Sequence, residues 1–261
     1  MKLFLLGTGG GPRSTNSRFP TSQAIIINDR LIVIDCGNGA TKQLANAGIS
    51  PASLSHLLVT HHHVDHMADL GYLPLSSWIE GRTETVKVLG PPPTVQALDA
   101  ILCGYDDDIE KRIISTGRPP FRPLLEARDL TQGGHVFEED GIRVSCAIVD
   151  HPPFEIALAY RVDYDGKSIV ISGDTAPSDE LIELAQGADI LVHEVVHPTA
   201  IAQMQKNTNA KTIASHMTQN HTMIEDVGKI ATAANVKKLV LSHLVPHTGL
   251  TDEQRIEPVK P

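Results

Sequence analysis

The chain has 261 residues, enough for one large α/β domain or two small ones. Hydrophobic residues make up 41% and aromatic residues only 4%, so any core must rest on Ile, Leu, Val and Ala. Acidic residues outnumber basic ones by 31 to 22, and the net charge of −9 disfavours generic binding to a phosphate backbone.

The chain opens with a strand, Lys2 to Leu6, too short an apolar run for a signal peptide. A glycine-rich turn, Gly7 to Arg13, follows; it lacks the spacing of a P-loop or a dinucleotide fingerprint. Gln23–Asn28 and Leu31–Ile34 read as a hairpin that runs on into Asp35-Cys36-Gly37. Asp35 is read as a ligand or, better, as a carboxylate that orients a neighbouring loop. Thr41 to Ala47 reads as a helix closed by Gly48.

The apolar run Leu57-Leu58-Val59 then leads into Thr60-His61-His62-His63-Val64-Asp65-His66, an H-x-H-x-D-H pattern. Imidazole and carboxylate ligands suit zinc, and iron or manganese less selectively. One open catalytic ion takes about three protein ligands plus water, so these four side chains suit two ions better than one. His61 and His63 would serve the first, Asp65 and His66 the second. Ala68 to Trp78 reads as a helix that belongs to the core, with a substrate-facing wall (Tyr72, Trp78) as the lesser reading. Val86–Leu89 is a strand and Thr94–Cys103 a helix. Residues 104 to 128, with Asp106-Asp107-Asp108 and Gly117-Arg118-Pro119-Pro120, read as an irregular solvated insertion or a lid.

Strands return at His135–Phe137 and Ile142–Val149, the latter ending in Asp150-His151-Pro152-Pro153. A hairpin, Ile156–Val162 and Lys167–Ile171, ends in Ser172-Gly173-Asp174. Leu181–Ala185 is helical, Asp189–Val192 a strand ending in His193-Glu194, and Glu225–Asn235 an amphipathic helix. Lys238–Leu241 is a strand followed by Ser242-His243. An apolar strand with a polar residue at its end recurs, which is where α/β architectures place their chemistry. The tail from His247 to Pro261 is polar with a weak helix signal at Asp252–Glu257, and reads as mobile or truncated. Cys36, Cys103 and Cys146 are odd in number and well separated, which argues for reduced thiols, not a disulfide framework. No run approaches the ~18 apolar residues of a membrane span. A cytoplasmic location without membrane partners is expected.

These motifs together resemble the metallo-β-lactamase fold superfamily, and within it the ribonuclease Z-like and arylsulfatase-like branch, along nearly the whole chain. The resemblance implies a single domain with an αββα four-layer sandwich of two related halves. It implies two divalent ions, most readily Zn²⁺ (Mn²⁺ or Fe²⁺ also fit): His61, His63 and His151 on the first, Asp65, His66 and His243 on the second, Asp174 between them. That set leaves room for a bridging hydroxide as nucleophile, with Asp65 able to hold it in line or take its proton. Ribonuclease Z-like enzymes carry a His 22 positions before the last His ligand, here His221. Their His-Glu motif matches His193-Glu194, so Glu194 and His221 form the expected proton-donor pair, with His216 the rival. His62, His135, His197 and His247 have no motif support.

Ribonuclease Z enzymes also carry a long tRNA-gripping arm between the third His motif and the bridging Asp. Only 23 positions separate His151 from Asp174 here, filled by one hairpin. The expected activity is therefore hydrolysis of small phosphodiesters or sulfate esters, with a small-molecule ester as partner. A tRNA 3′-endonuclease working without the arm is the first alternative, a lactonase or β-lactamase the second. A flavin-linked di-iron relative and a dead binding protein fit less well, because no ligand is replaced. Family members are often dimers, and a homodimer is expected on that ground.

Overall fold

The computed structural model describes residues 1–12, 17–206, 208–246 and 249–259. Arg13, His247 and Pro261 lie outside the described residues. The chain divides into two compact units, Met1–Gly7 with Thr21–Thr131 and Thr8–Pro20 with Gln132–Pro261.

The first unit is built on a six-stranded sheet whose spatial order follows the chain. Its strands are β1 (Lys2–Gly7), β2 (Ser22–Ile27), β3 (Arg30–Ile34), β4 (Leu54–Leu58), β5 (Val86–Gly90) and β6 (Leu125–Asp129). The first three pair antiparallel and the rest parallel. Asn28, at φ 53°, turns the chain between β2 and β3; asparagine tolerates that left-handed backbone. The two strands are near-continuous aliphatic runs, as strands with nearly every residue buried must be. Parallel strands need crossovers, and helices supply them: α1 (Ala40–Asn46), α2 (Val64–Met67), α3 (Tyr72–Ile79), α4 (Thr94–Cys103) and α5 (Asp106–Thr116). Leu31, Val33, Leu57, Val88, Leu73, Trp78 and Leu98 join one hydrophobic cluster.

Two expectations need correction in this unit. The helix expected over Ala68 to Trp78 starts only at Tyr72, as α3; residues 68–71 are turn, and the short α2 precedes them. Pro74 falls in the first turn of α3, where its missing N–H costs nothing. Trp78 is 1% exposed and its indole N–H donates to the Pro119 carbonyl, so it is core and not a wall, whereas Tyr72 is exposed. Residues 104 to 128 are not irregular: they form α5, a 3-10 turn at Arg122–Leu124 and β6, which adds to the sheet beside β5. The acidic run sits in the first turn of α5, where the helix dipole favours it, and Asp107 and Asp108 pair with Lys111 and Arg112 one turn on. Gly117, at φ 67°, ends the helix.

The second unit repeats the plan. Its sheet runs β12-β11-β10-β9-β8-β7. Antiparallel β7 (Gly134–Glu139), β8 (Ile142–Val149), β9 (Ala157–Tyr164) and β10 (Lys167–Ile171) come first, followed by parallel β11 (Ile190–Val196) and β12 (Leu239–Val245). Asp140-Gly141 and Asp165-Gly166 make the two tight hairpins, all four residues at positive φ. The helices are α6 (Asp179–Leu184), α7 (Pro198–Lys206), α8 (Ile213–Gln219), α9 (Ile224–Ala233) and α10 (Asp252–Ile256). Ser178 caps α6, and Thr251 with Gln254 forms a capping box on α10.

Helices α7 and α8 were not anticipated from the sequence. Strands β11 and β12 run past the polar residues expected to end them: His193 and Glu194 lie inside β11, Ser242 and His243 inside β12. The pairing register of these two strands shifts between His193 and Val195, and His243 has φ 44°. The irregularity re-aims polar side chains without ending the strands. The three cysteines are free, Cys36 and Cys146 buried and Cys103 exposed. No helix among the described residues is long and apolar enough to cross a membrane.

Candidate metal centre

In the first unit the His-rich loop is held by Asp35, the residue after β3. Its carboxylate accepts Thr60 N (2.8 Å) and Thr60 Oγ1 (2.8 Å) and bonds His66 Nδ1 (2.7 Å). Asp35 is 1% exposed and has φ 57°, a left-handed backbone that an Asp adopts at small cost. A second carboxylate, Asp69, accepts Gly39 N and Thr41 N at the start of α1, while its own N–H donates to the Cys36 carbonyl. The loop is thereby fixed at both ends to the segment after β3. With Nδ1 engaged by Asp35, His66 presents Nε2, which lies 3.7 Å from Asp65 Oδ2. His61 Nε2 lies 2.9 Å from His63 Nδ1, and the His61 and His66 rings are 4.0 Å apart between centroids. The four side chains of the H-x-H-x-D-H pattern are therefore gathered, whereas His62 is tied to Thr94 Oγ1 (2.9 Å).

In the second unit Asp174, just past β10, is the hub. Its Oδ2 lies 3.2 Å from His243 Nε2 and 4.0 Å from both His151 Nε2 and His221 Nδ1. Asp174, His221 and His243 each offer one donor atom, and these atoms all lie within 4.8 Å of one another. His221 Nδ1 also meets both oxygens of Glu194, at 2.9 and 3.1 Å. Glu194 is 2% exposed; its Oε1 accepts Thr175 N, and its own N–H donates to Ser172 Oγ. The glycine-rich turn comes against this cluster. A Cβ on Gly10 would lie 2.6 Å from His243 Nδ1, so only glycine fits there, and Gly11 N donates to His243 Nε2.

Burial pushes the His151 imidazole below its ordinary pKa, against the pull of Asp174. It does the same to His216, with His221 adding to the effect, and to His193 and His62. Imidazoles beside buried carboxylates are the donor set that zinc, iron and manganese take, so the residues fit a metal site. His193 serves the backbone, its Nδ1 2.7 Å from the Glu194 carbonyl. His135 and His197 are placed apart on β7 and before α7, and His197 bonds Thr199.

Several contributors were not foreseen: Thr60, Asp69, Thr175 and Ser172. Each acts through a contact remote in sequence, and only the position of Asp69, three residues after the His motif, left a local trace.

A two-sheet α/β fold with flanking helices and a buried His/Asp cluster defines a metallo-β-lactamase-fold hydrolase, and the solved structures it resembles carry that fold. The metallo-β-lactamase fold protein YhfI from Bacillus subtilis matches with TM-score 0.70 at 21% identity, covering 98% of this chain and 91% of that one. The short form of human tRNase Z matches with TM-score 0.71 at 17% identity, covering 94% and 92%. A curated relative, ribonuclease Z of Mycobacterium bovis (strain BCG / Pasteur 1173P2), is 32% identical over 258 residues, 98% of this chain and 90% of that protein. The model of the family described as Anti-Pycsar protein Apyc1 matches residues 1–221, and the chain belongs to that family.

Proposed function

We propose that this chain is a dinuclear metal-dependent hydrolase of small phosphodiesters or sulfate esters. His61, His63 and His151 hold one ion, Asp65, His66 and His243 the other, and Asp174 is shared. The residue-by-residue match to the family motif supports that assignment, as do the donor clusters within each unit. When bound, two divalent ions, Zn²⁺ before Mn²⁺ or Fe²⁺, lower the pKa of water and neutralise charge on the attacked group.

One observation carries the choice of chemistry: the buried Glu194–His221 pair, 2.9 Å apart, beside Asp174 and His243. Glu194 engages Nδ1 and fixes the ring, leaving Nε2 to give a proton to the departing oxygen. Ester cleavage with a poor alkoxide leaving group needs such a donor. A ribonuclease breaks phosphodiester bonds, so the curated relatives' name agrees with this chemistry.

The same relatives favour one second reading, tRNA 3′ processing. Against it stand the net charge of −9 and the stretch between His151 and Asp174, whose only strands are the β9–β10 hairpin. A rate panel on zinc- and manganese-loaded protein separates the readings: bis-p-nitrophenyl phosphate, p-nitrophenyl sulfate, a lactone, a β-lactam and a tRNA precursor. Cleavage of the small diester or sulfate with tRNA untouched is expected. Correct trimming of the tRNA overturns the small-ester reading, and turnover of the lactone or β-lactam alone overturns the chemistry. His221→Ala is expected to lower turnover of a diester with an alkoxide leaving group about 10²–10⁴-fold with metal content unchanged.

A further inference from the structure

The segment after β8 that carries His151 has an anchor of its own. Asn220, the residue that closes α8, accepts His151 Nδ1 on its backbone carbonyl at 2.8 Å. Its side-chain amide donates to the Pro152 carbonyl, one residue past His151, and to His216 Nδ1 at 2.7 Å. Its own N–H donates to the His216 carbonyl, so the helix end is closed before it reaches across. Asn220 is 9% exposed and stands 69 positions from His151.

We propose that Asn220 is the positioning residue for the His151 ligand, an inference that rests on the two-metal reading above. Its two contacts act together. The carbonyl takes the Nδ1 proton, so the imidazole offers Nε2, the nitrogen that faces Asp174 at 4.0 Å. The amide clamps the peptide that follows His151, so the ring cannot swing away while keeping that bond. Ligating imidazoles are commonly oriented this way by a carbonyl on their second nitrogen. The added element here is that one residue supplies both the carbonyl and the clamp. A carboxylate in its place has the same shape but no N–H for Pro152. Asn220 touches neither ion nor substrate, and acts only through His151.

The test is zinc binding, read apart from activity. Wild-type protein and Asn220→Asp are stripped and titrated with zinc against a competing chelator, with melting curves alongside. Wild type is expected to take two ions. Asn220→Asp is expected to hold one of them on the order of 10–100-fold more weakly and the other unchanged. A purely structural role lowers the melting temperature and leaves both zinc affinities alone, and that result overturns the proposal. A second measurement needs no variant: long-range ¹H–¹⁵N spectra of metal-free wild type, with His151 assigned through His151→Gln. His151 as the Nδ1–H tautomer supports the inference, and the Nε2–H form overturns it. Wild type that binds fewer than two zinc ions overturns the two-ion reading and this inference with it. Two ions in wild type with an identical isotherm for Asn220→Asp overturn this inference alone.

Discussion

Asp35→Asn tests how the His-rich loop is held. The substitution keeps the shape and removes the charge. Asp35 takes Thr60 N on Oδ1 and faces Thr60 Oγ1 and His66 Nδ1 with Oδ2, all at 2.7 to 2.8 Å and all buried. An amide has one oxygen where the carboxylate has two. With its nitrogen in the Oδ2 place it confronts His66 Nδ1–H; turned over, it confronts Thr60 N–H. Either orientation sets donor against donor. The threonine hydroxyl can rotate and accept, but the imidazole can yield only by moving its proton to Nε2, the nitrogen on the Asp65 side. One charge-assisted hydrogen bond is lost, a cost of about 2 kcal/mol. With an m-value of about 3 kcal/mol/M, the urea midpoint of metal-free protein falls by about 0.7 M. Zinc held through His66 weakens on the order of 10–100-fold, because the ligating nitrogen is now protonated. Urea unfolding followed by circular dichroism and a chelator-competed zinc titration read the two effects separately. An unchanged midpoint together with an unchanged isotherm would refute the reasoning.

Gly10→Ala places a Cβ 2.6 Å from both His243 Nδ1 and Val245 Cγ2, and a shift of His243 approaching 1 Å is expected to cut turnover of a small diester by about 100-fold; a wild-type rate would show that the turn gives way instead. Gly117→Ala meets nothing within 4 Å, so its cost is backbone alone: about 1 kcal/mol at φ 67°, read by urea unfolding, with Gly117→Asn costing less and turnover unaffected by either. Adding zinc to stripped protein at 100 times its dissociation constant is expected to stabilise the fold by about 2.7 kcal/mol per ion, and a melting temperature that does not rise would argue against a folded-state metal site.

What the sequence disclosed follows the range of the forces involved. The H-x-H-x-D-H loop, the hairpin across Asp165-Gly166 and helix α4 are local patterns, and each appears where its residues place it. Helix α5 was hidden because Asp106-Asp107-Asp108 reads as a wet face until Lys111 and Arg112 are set one turn below. Helix α7 fully buries only Ala200 along nine residues and α8 only Met217 along seven; Ile201, Met204 and Ile213 are only partly buried beside them, so each apolar stripe is short. Strands β11 and β12 were cut short because Glu194 and His243 look like strand ends, when burial against partners lets polar residues lie within a strand. Asn220 left no trace at all, since its role depends on a carbonyl and a contact 69 positions away.

The β9–β10 hairpin bears on how such a protein could be re-equipped. Its tip, Asp165-Gly166, is separated from Ser172 by the whole of β10, five residues or about 16 Å at 3.3 Å per residue. A peptide spliced into the tip would hang at the far end of the sheet, tolerated yet remote from the chemistry. One spliced at 154–156, between the clamped Pro152 peptide and the start of β9, would emerge beside His151. The second position is the one at which an engineer, or a lineage acquiring a larger substrate, could add a gripping element without rebuilding either sheet.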